Sequence, residues 1–171
     1  GNVMKFRSPT FGVCNIDRMI DIILHKIRNR PDSEWTVAIG TDSQNKGNIT
    51  RICSAIIVIE KGKGGSYFYS KNIVPRIMVL QQRMLKEAEI SINIGHKIIE
   101  TIENKFINGE SDILDYNVEL EIHCDFGNNG KSKDSIAAAL GWITAEFGGQ
   151  ISAKIKPDSL AASCIADKYT K

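Results

Sequence analysis

Two aspartates follow apolar segments, each at a point where a strand is expected to end. Asp42 comes directly after Trp35 to Thr41 (WTVAIGT), and Asp125 comes directly after Val118 to Cys124 (VELEIHC). If the two strands are parallel neighbours, their carboxyl ends lie about 4.8 Å apart, so both carboxylates can bind one hard cation or bridge two. Either aspartate can instead simply begin a turn, the common role of aspartate after a strand.

A third carboxylate is expected on a long helix, where Glu87 and Glu89 compete. At about 100° per residue, Glu87 lies beside the apolar stripe of the helix, whereas Glu89 points almost opposite to it. We therefore expect Glu87 to reach the sheet and Glu89 to be a solvated surface charge. Glu87 can equally pair with Arg83 across one helical turn.

The C-terminal segment KPDSLAASCIADKYTK holds a fourth candidate. Asp158 follows a proline and precedes a serine, a pattern typical of a helix cap. Asp167 lies inside the expected last helix, whose small residues allow it to approach the sheet and bring Asp167 to the strand ends. A surface aspartate beside Lys168 is the alternative interpretation of Asp167.

The stretch DFGNNGKS resembles a phosphate-binding loop of the pattern G-x-x-x-x-G-K-[ST], but Asp125 stands where the first glycine is required. A carboxylate there opposes a triphosphate in the absence of metal. Gly130, Lys131 and Ser132 can still hold a substrate phosphate at a helix N-terminus, or form only a capped turn. Nearby, His123 is interpreted as a sheet histidine with satisfied hydrogen bonds.

The elements that must position these residues are indicated by hydrophobic periodicity. A short Gly-rich link joins the second and third strands and requires an antiparallel hairpin, whereas helical crossovers permit parallel pairing of later strands, so the sheet is expected to be mixed. In chain order we expect a helix from Asn15 to near Pro31, strands at 35–41, 51–60 and 66–74, a helix at 77–106, a strand at 118–124, a helix closed by Gly148-Gly149, a strand at 150–156 and a helix from about Asp158.

Composition sets limits on function. The 22 Lys and Arg against 20 Asp and Glu provide no broad electrostatic case for nucleic-acid binding, so any basic surface must be local. Four lysines, Lys131, Lys133, Lys154 and Lys156, can form a local basic rim or serve only solubility. The longest apolar stretch, 55–59, is far shorter than a membrane span, and the N-terminus lacks a signal-peptide pattern, so we expect a cytoplasmic protein without membrane contact.

The four cysteines are far apart in the sequence and lack the close pairs of a zinc site or a small disulfide scaffold. We therefore expect reduced, mostly buried thiols. They are Cys14, Cys53, Cys124 and Cys164.

The segments IGTDSQ, HCDFGNNGKS and KPDSLAASCIADKYTK resemble the YkuK-like family of the ribonuclease H-like superfamily, over nearly the whole chain. The resemblance implies an α/β fold with a five-stranded mixed sheet of order 3-2-1-4-5, in which the first and fourth strands are parallel neighbours. It also implies a single domain over residues 1–171, with an N-terminal helical extension over about residues 1–33.

The resemblance further implies two Mg²⁺ or Mn²⁺ ions bound by acidic residues on the first strand, the long helix, the fourth strand and the last helix. The sequence Asp42-Ser43-Gln44 departs from the Asp-Gly-Ser pattern of ribonuclease H, whereas Ala166-Asp167 is similar to the superfamily's Ala-Asp. The matching residues here are Asp42, Glu87, Asp125 and Asp167.

We therefore expect a divalent-metal-dependent nuclease that hydrolyses phosphodiester bonds in RNA or DNA. A non-catalytic module that binds nucleic acid or a protein partner is the alternative, in which the acids are only turn and cap residues. A phosphotransfer or ATP-handling protein is a third, but one copy of the fold lacks the second lobe of actin-like ATPases. The sequence does not indicate an oligomeric state.

Overall fold

The computed structural model describes residues 4–110, 113–125, 132–156, 160, 161 and 164. Seven strands and three helices lie within these residues, with one turn of 3-10 helix before the sixth strand. The strands are β1 (Lys5–Ser8), β2 (Gly12–Asn15), β3 (Trp35–Lys46), β4 (Ile49–Glu60), β5 (Gly65–Pro75), β6 (Val118–Asp125) and β7 (Ser152–Lys156). The helices are α1 (Ile16–Asn29), α2 (Leu80–Ile107) and α3 (Lys133–Phe147), and the 3-10 turn is Ile113–Asp115.

The strands form one mixed sheet of order β2-β1-β5-β4-β3-β6-β7. The five strands expected from the sequence therefore have the expected order, with β3 and β6 parallel and β3, β4 and β5 antiparallel. The expected number of strands was wrong, because the sheet has seven. β1 and β2 have four residues each and bury only two side chains of the first strand and one of the second, which is too short a pattern to recognise.

The first central strand is longer than expected. β3 continues through the polar residues after Thr41 to Lys46, and its pairing with β4 reaches Lys46↔Ile49. The chain reverses at Gly47, where φ is +59°, as the first position of a two-residue II′ hairpin turn requires. The polar composition of residues 42–46 does not predict a strand. They are nevertheless in β3 because β4 supplies their hydrogen-bond partners.

The long helix begins later than its periodicity predicts. The amide of Ile77 donates to Thr50 Oγ1 at 2.9 Å, so this residue belongs to the end of the sheet rather than to α2. The other expected ends are confirmed: Asn15 Oδ1 caps α1 by accepting from the Arg18 amide at 2.9 Å, and Gly148 closes α3 at φ +53°.

Helices α1, α2 and α3 contribute side chains to one core cluster, which also contains Trp35, Val37 and Ile39 of β3. We name the side of the sheet that carries these three residues the helical face. Side chains alternate along a regular strand, so Ala38, Gly40 and Asp42 lie on the other side, named here the open face. No helix within the described ranges is both long and apolar enough to cross a membrane.

Candidate active site

Asp42 lies inside β3 rather than after its end. On one side β3 pairs with β4 along its whole length, with Asp42 opposite Cys53. On its other side the parallel pairing with β6 ends at Gly40↔His123. The β3–β6 ladder therefore ends two residues before Asp42, whereas the pairing with β4 continues past Asp42.

Asp125 is the last residue of β6. It comes two positions after His123, just as Asp42 comes two positions after Gly40, and Gly40 and His123 are paired. The two aspartates therefore occupy equivalent backbone positions on adjacent parallel strands, and such strands lie about 4.8 Å apart where they pair. The backbone of Asp125 also pairs with Lys156 of β7, while its side chain lies outside the described part of the structure.

The Asp42 side chain is buried, with 9% exposure. Its Oδ1 accepts a hydrogen bond from the backbone amide of Ser43 at 2.9 Å. A buried carboxylate is costly unless donors or a cation compensate its lost hydration. Two hard oxygen atoms held in this position are suited to a hard divalent cation.

Ser43 connects the strand to the long helix. Its hydroxyl donates to Glu87 Oε2 and accepts from Arg83 Nε at 2.9 Å. Glu87 is 7% exposed, so the helix delivers this carboxylate to the sheet as its position beside the apolar stripe predicts. Arg83, the alternative partner of Glu87, is directed to the same serine.

One helical turn further along α2, three hydroxyl groups form a buried polar contact. Thr41 Oγ1 lies 2.9 Å from Ser54 Oγ on β4 and 2.7 Å from Ser91 Oγ on α2. Each hydroxyl can donate and accept, so the group satisfies itself without a charge. These contacts fix the position of α2 against β3 and β4 beside the two acids.

Asp42 and Glu87 approach β3 from different faces. The pairing of β3 with β4 is regular, so Ser43 faces α2 on the helical face and Asp42 lies on the open face with Gly40 and Cys53. The β6 ladder ends at Gly40, and beyond it no strand among the described residues pairs with this flank of β3, so both faces of the sheet meet there. We interpret this flank as the place where a shared ligand would contact both carboxylates.

His123 and Glu121 form a pair that the sequence interpretation missed. Nε2 of His123 lies 2.9 Å from Glu121 Oε1, and the side chains are only 8% and 12% exposed. Within the described residues, His123 Nδ1 is a buried polar atom without a hydrogen-bond partner. The histidine is therefore half satisfied rather than fully satisfied as expected. The sequence contained a signal for this pair, because Glu121 and His123 lie on one face of an alternating strand and His123 comes two positions before Asp125.

Comparison with known proteins identifies the family of this chain. The model of the family described as ribonuclease H-like matches residues 18–171. The chain belongs to the ribonuclease H-like family. It is also 32% identical over 152 residues to a Bacillus subtilis (strain 168) protein named uncharacterized protein YkuK, with 85% of this chain and 84% of that protein covered. No solved structure matches significantly.

The resemblance to YkuK is thereby confirmed, and ribonuclease H-like membership supports a nuclease-like or nucleic-acid-related role. Of the four acids that this family relationship implies, the structure locates Asp42, Glu87 and the backbone of Asp125. Asp167 and its competitor Asp158 lie outside the described residues. Within the residues that the structure does describe, no group of three or more His, Cys, Asp and Glu side chains is arranged to hold a metal ion.

Glu89, the competitor of Glu87 in the ribonuclease H-like pattern, lies on the solvent side of α2. Its Oε1 accepts from Lys86 Nζ at 3.0 Å, and the Glu89 side chain is 47% exposed. This is the surface charge that the helical periodicity predicts. Between the two glutamates, only Glu87 is oriented toward the central strands.

Of the three residues predicted to hold a substrate phosphate, the structure describes only Ser132, because Gly130 and Lys131 lie outside the described residues. Ser132 is the N-cap of α3, and its Oγ accepts from the Ser135 amide at 3.1 Å. The hydroxyl is thus used as a helix cap. Phosphate binding at this turn stays a prediction.

The expectation of four reduced cysteines was wrong, because Cys53 and Cys164 form a disulfide across 111 residues of sequence. Cys14 and Cys124 are thiols. The bond forms because Leu160, Ala161 and Cys164 return over the open face, where a Cβ on Gly40 would lie 2.9 Å from Leu160 Cβ and where Ala161 and Cys164 are buried with Cys53 and Ala55. Spacing along the chain contains no sign of that return. Cys53 is the partner of Asp42 in the β3–β4 ladder, so the disulfide lies beside the candidate site.

Proposed function

We propose that this protein is a divalent-metal-dependent nuclease of the ribonuclease H-like type, which hydrolyses phosphodiester bonds in RNA or DNA. The single observation that carries the proposal is the parallel pairing of β3 and β6, with Asp42 and Asp125 at equivalent positions two residues beyond Gly40↔His123. Two aspartates at adjacent strand positions are a recurrent way of presenting carboxylates to a metal ion.

The proposed ligands are Asp42, Glu87, Asp125 and Asp167, and the proposed ions are Mg²⁺ or Mn²⁺. Their oxygen donors fit these hard cations rather than zinc, which favours nitrogen and sulfur. When bound, two such ions supply an activated water for in-line attack and stabilise the leaving oxygen. Ser43 holds the Glu87 carboxylate by hydrogen bonding, and burial of Asp42 limits its access to bulk water.

The test compares Asp42→Asn and Asp125→Asn with Glu89→Gln, a matched change of an exposed acid on α2. We expect the two asparagine variants to lose Mn²⁺-dependent cleavage of RNA and DNA while their circular dichroism is unchanged. We expect the glutamine variant to cleave normally. Undiminished cleavage by purified Asp42→Asn and Asp125→Asn proteins contradicts the proposal.

A non-catalytic module that binds nucleic acid or a protein is a second candidate, favoured by one observation. Asp42 Oδ1 accepts from the Ser43 amide and Glu87 Oε2 accepts from the Ser43 hydroxyl, so both acids already have structural hydrogen bonds. This candidate requires no bound metal. Isothermal titration with Mn²⁺ separates the two: heat of binding that Asp42→Asn removes supports the nuclease, and its absence supports the module.

A further inference from the structure

Two tyrosines lie side by side on the open face of β5. The rings of Tyr67 and Tyr69 are nearly parallel, with an interplanar angle of 11° and centroids 6.1 Å apart. Phe68 between them is fully buried in the core of the helical face, so the tyrosines face the other side. Tyr67 is 41% exposed, and Tyr69 is opposite Arg7 of β1. The Tyr67 ring is thus exposed at a surface, whereas Tyr69 is partly buried against the cluster of Cys53, Ala55, Ala161 and Cys164.

The strand positions around these rings are basic. On β1, β4 and β5, the described positions that face the open side include four basic residues and no acidic residue. The whole chain is almost balanced, with 22 basic and 20 acidic residues, so this local excess is not a consequence of composition. The four residues are Lys5, Arg7, Arg51 and Lys71.

This surface lies on the same face of the sheet as the candidate active site. Lys71 of β5 is opposite Cys53 of β4, and Cys53 is opposite Asp42 of β3, so the three residues form one row across the sheet. Two strand spacings separate Lys71 from Asp42, about 10 Å. Arg51 is opposite Gln44, the next open-face position after Asp42. Cys53 in the middle of this row is only 1% exposed and is bonded to Cys164, so the basic residues share a face with Asp42 but are separated from it by the buried centre of the row.

We propose that these tyrosines and basic residues, together named the tyrosine–basic surface, bind single-stranded nucleic acid. Bases stack on the exposed ring of Tyr67, which Tyr69 supports from its other side, and phosphates contact the basic side chains. Flat aromatic rings bind any base through its π-face, and a basic groove follows the backbone. In a duplex the bases are stacked on each other, and their faces are not available to tyrosine.

The proposal deepens the proposed function by naming its substrate class, but binding at this surface does not rest on catalysis at Asp42. An acidic peptide would also be attracted by Arg7, Arg51 and Lys71, but its carboxylate side chains do not stack on aromatic rings as bases do. The stacked pair therefore favours nucleic acid over a peptide. Competition with polyglutamate distinguishes these partners.

The first test measures binding of a fluorescent single-stranded oligonucleotide of about 12 nucleotides by anisotropy, with EDTA present to prevent cleavage. We expect Tyr67→Ala to weaken binding about tenfold and Tyr67→Phe to bind like the wild type, because phenylalanine keeps the ring. We expect a duplex of the same length to bind more weakly. Wild-type affinity of Tyr67→Ala, equal affinity for duplex, or equal displacement by polyglutamate each overturns the proposal.

The second test examines the charges. We expect Arg7→Gln to reduce the slope of log affinity against log salt by about one, as loss of one phosphate contact does. Lys97→Gln removes an exposed charge from α2, away from this surface, and is expected to leave the slope unchanged. Equal effects of the two substitutions show a general charge effect and overturn the proposal.

The EDTA condition separates this proposal from the proposed function. If the wild type binds the oligonucleotide through Tyr67 but shows no Mn²⁺-dependent cleavage, the nuclease proposal fails and the tyrosine–basic surface stands. If cleavage occurs and depends on Asp42 but Tyr67→Ala binds normally, the surface fails and the nuclease stands.

Discussion

The hydroxyl of Ser43 on β3 donates a hydrogen bond to the carboxylate of Glu87 on α2, and 44 residues of sequence separate the two. Both side chains are buried, with 5% and 7% exposure. The contact joins the strand that carries Asp42 to the helix that carries the next proposed acid. Arg83 donates to the same hydroxyl, so one serine contacts both the Glu87 carboxylate and the Arg83 guanidinium.

Removal of this hydroxyl is expected to destabilise the protein. Ser43→Ala removes the hydroxyl that donates to the buried Glu87 carboxylate, and loss of a hydrogen bond to a buried group costs about 1–3 kcal/mol. Ser43→Thr keeps the hydroxyl and is expected to cost less. Urea denaturation followed by circular dichroism measures both free energies of unfolding. Equal stability of the alanine variant and the wild type would show that Glu87 does not depend on Ser43.

Two glycines in helices are expected to respond oppositely to alanine. A Cβ on Gly95 of α2 would lie 2.8 Å from Phe147 Cζ and 3.0 Å from Ile151 Cδ1, whereas a Cβ on Gly141 of α3 meets nothing within 4 Å. Alanine favours a helix over glycine by about 1 kcal/mol, and overpacking a core costs about 1–3 kcal/mol. Gly141→Ala should therefore raise the melting temperature, and Gly95→Ala should lower it.

The double variant Gly95→Ala/Phe147→Leu is the control for that interpretation. A shorter side chain at position 147 relieves the contact with the new methyl group. If the clash is responsible, the double variant should be more stable than the sum of the two single changes predicts. Additive effects would indicate another cause.

The disulfide is expected to be seen in a thiol count. Under denaturing conditions without reductant the protein should show two titratable thiols, Cys14 and Cys124, and four after reduction. Burial raises the pKa of the Cys14 thiol, against a smaller opposing effect of Arg18, so Cys14 should react slowly in the folded protein. Four thiols without reductant would contradict the bond.

Loss of the Cys53–Cys164 bond is expected to lower the free energy of unfolding by about 2–5 kcal/mol, because the crosslink closes a long loop in the unfolded chain. Cys164→Ser is the variant to measure, with the wild type in the presence and absence of reductant. The reductant should destabilise the wild type and leave Cys164→Ser unchanged. An equal response of both proteins to reductant would assign the effect to another cause.

Glu60 provides a pH dependence. The Ser33 hydroxyl, which donates to Glu60 Oε2 at 2.6 Å, lowers the pKa of this carboxyl, as do the charges of Lys63 and Arg30, while burial opposes them. A pKa lower in the folded than in the unfolded state stabilises the protein above the unfolded value and loses this effect as the pH falls through the folded value.

Ser33→Ala should therefore raise the pKa of Glu60 toward its ordinary value. The variant should be less stable than the wild type at neutral pH, and this deficit should shrink at an acidic pH below the folded pKa of Glu60. Carboxyl carbon shifts measured by NMR report the pKa, and urea denaturation at the two pH values reports the stability. An unchanged pKa in the variant would assign the depression to Lys63 and Arg30.

The regular elements around the site were predictable because local patterns determine them. Helix α1 starts at the cap residue Asn15, and α3 ends at the left-handed Gly148, since both ends depend on neighbouring backbone groups alone. The outward position of Glu89 likewise follows from helical periodicity. Long-range pairing was harder to predict: β3 extends past Asp42 because β4 supplies its partners, and polar composition opposes that assignment.

The amino-acid sequence by itself determined the apolar strands, the long amphipathic helix and the position of Glu87 beside its apolar stripe, because these depend on side-chain periodicity. Only the tertiary structure decided which face each acid occupies, that Ser43 links Glu87 to β3, and that Cys53 bonds Cys164. Those relationships join residues 44 and 111 positions apart, and the geometry of the folded sheet brings them into contact. The tyrosines on β5 likewise form a surface only because the helices cover the opposite face.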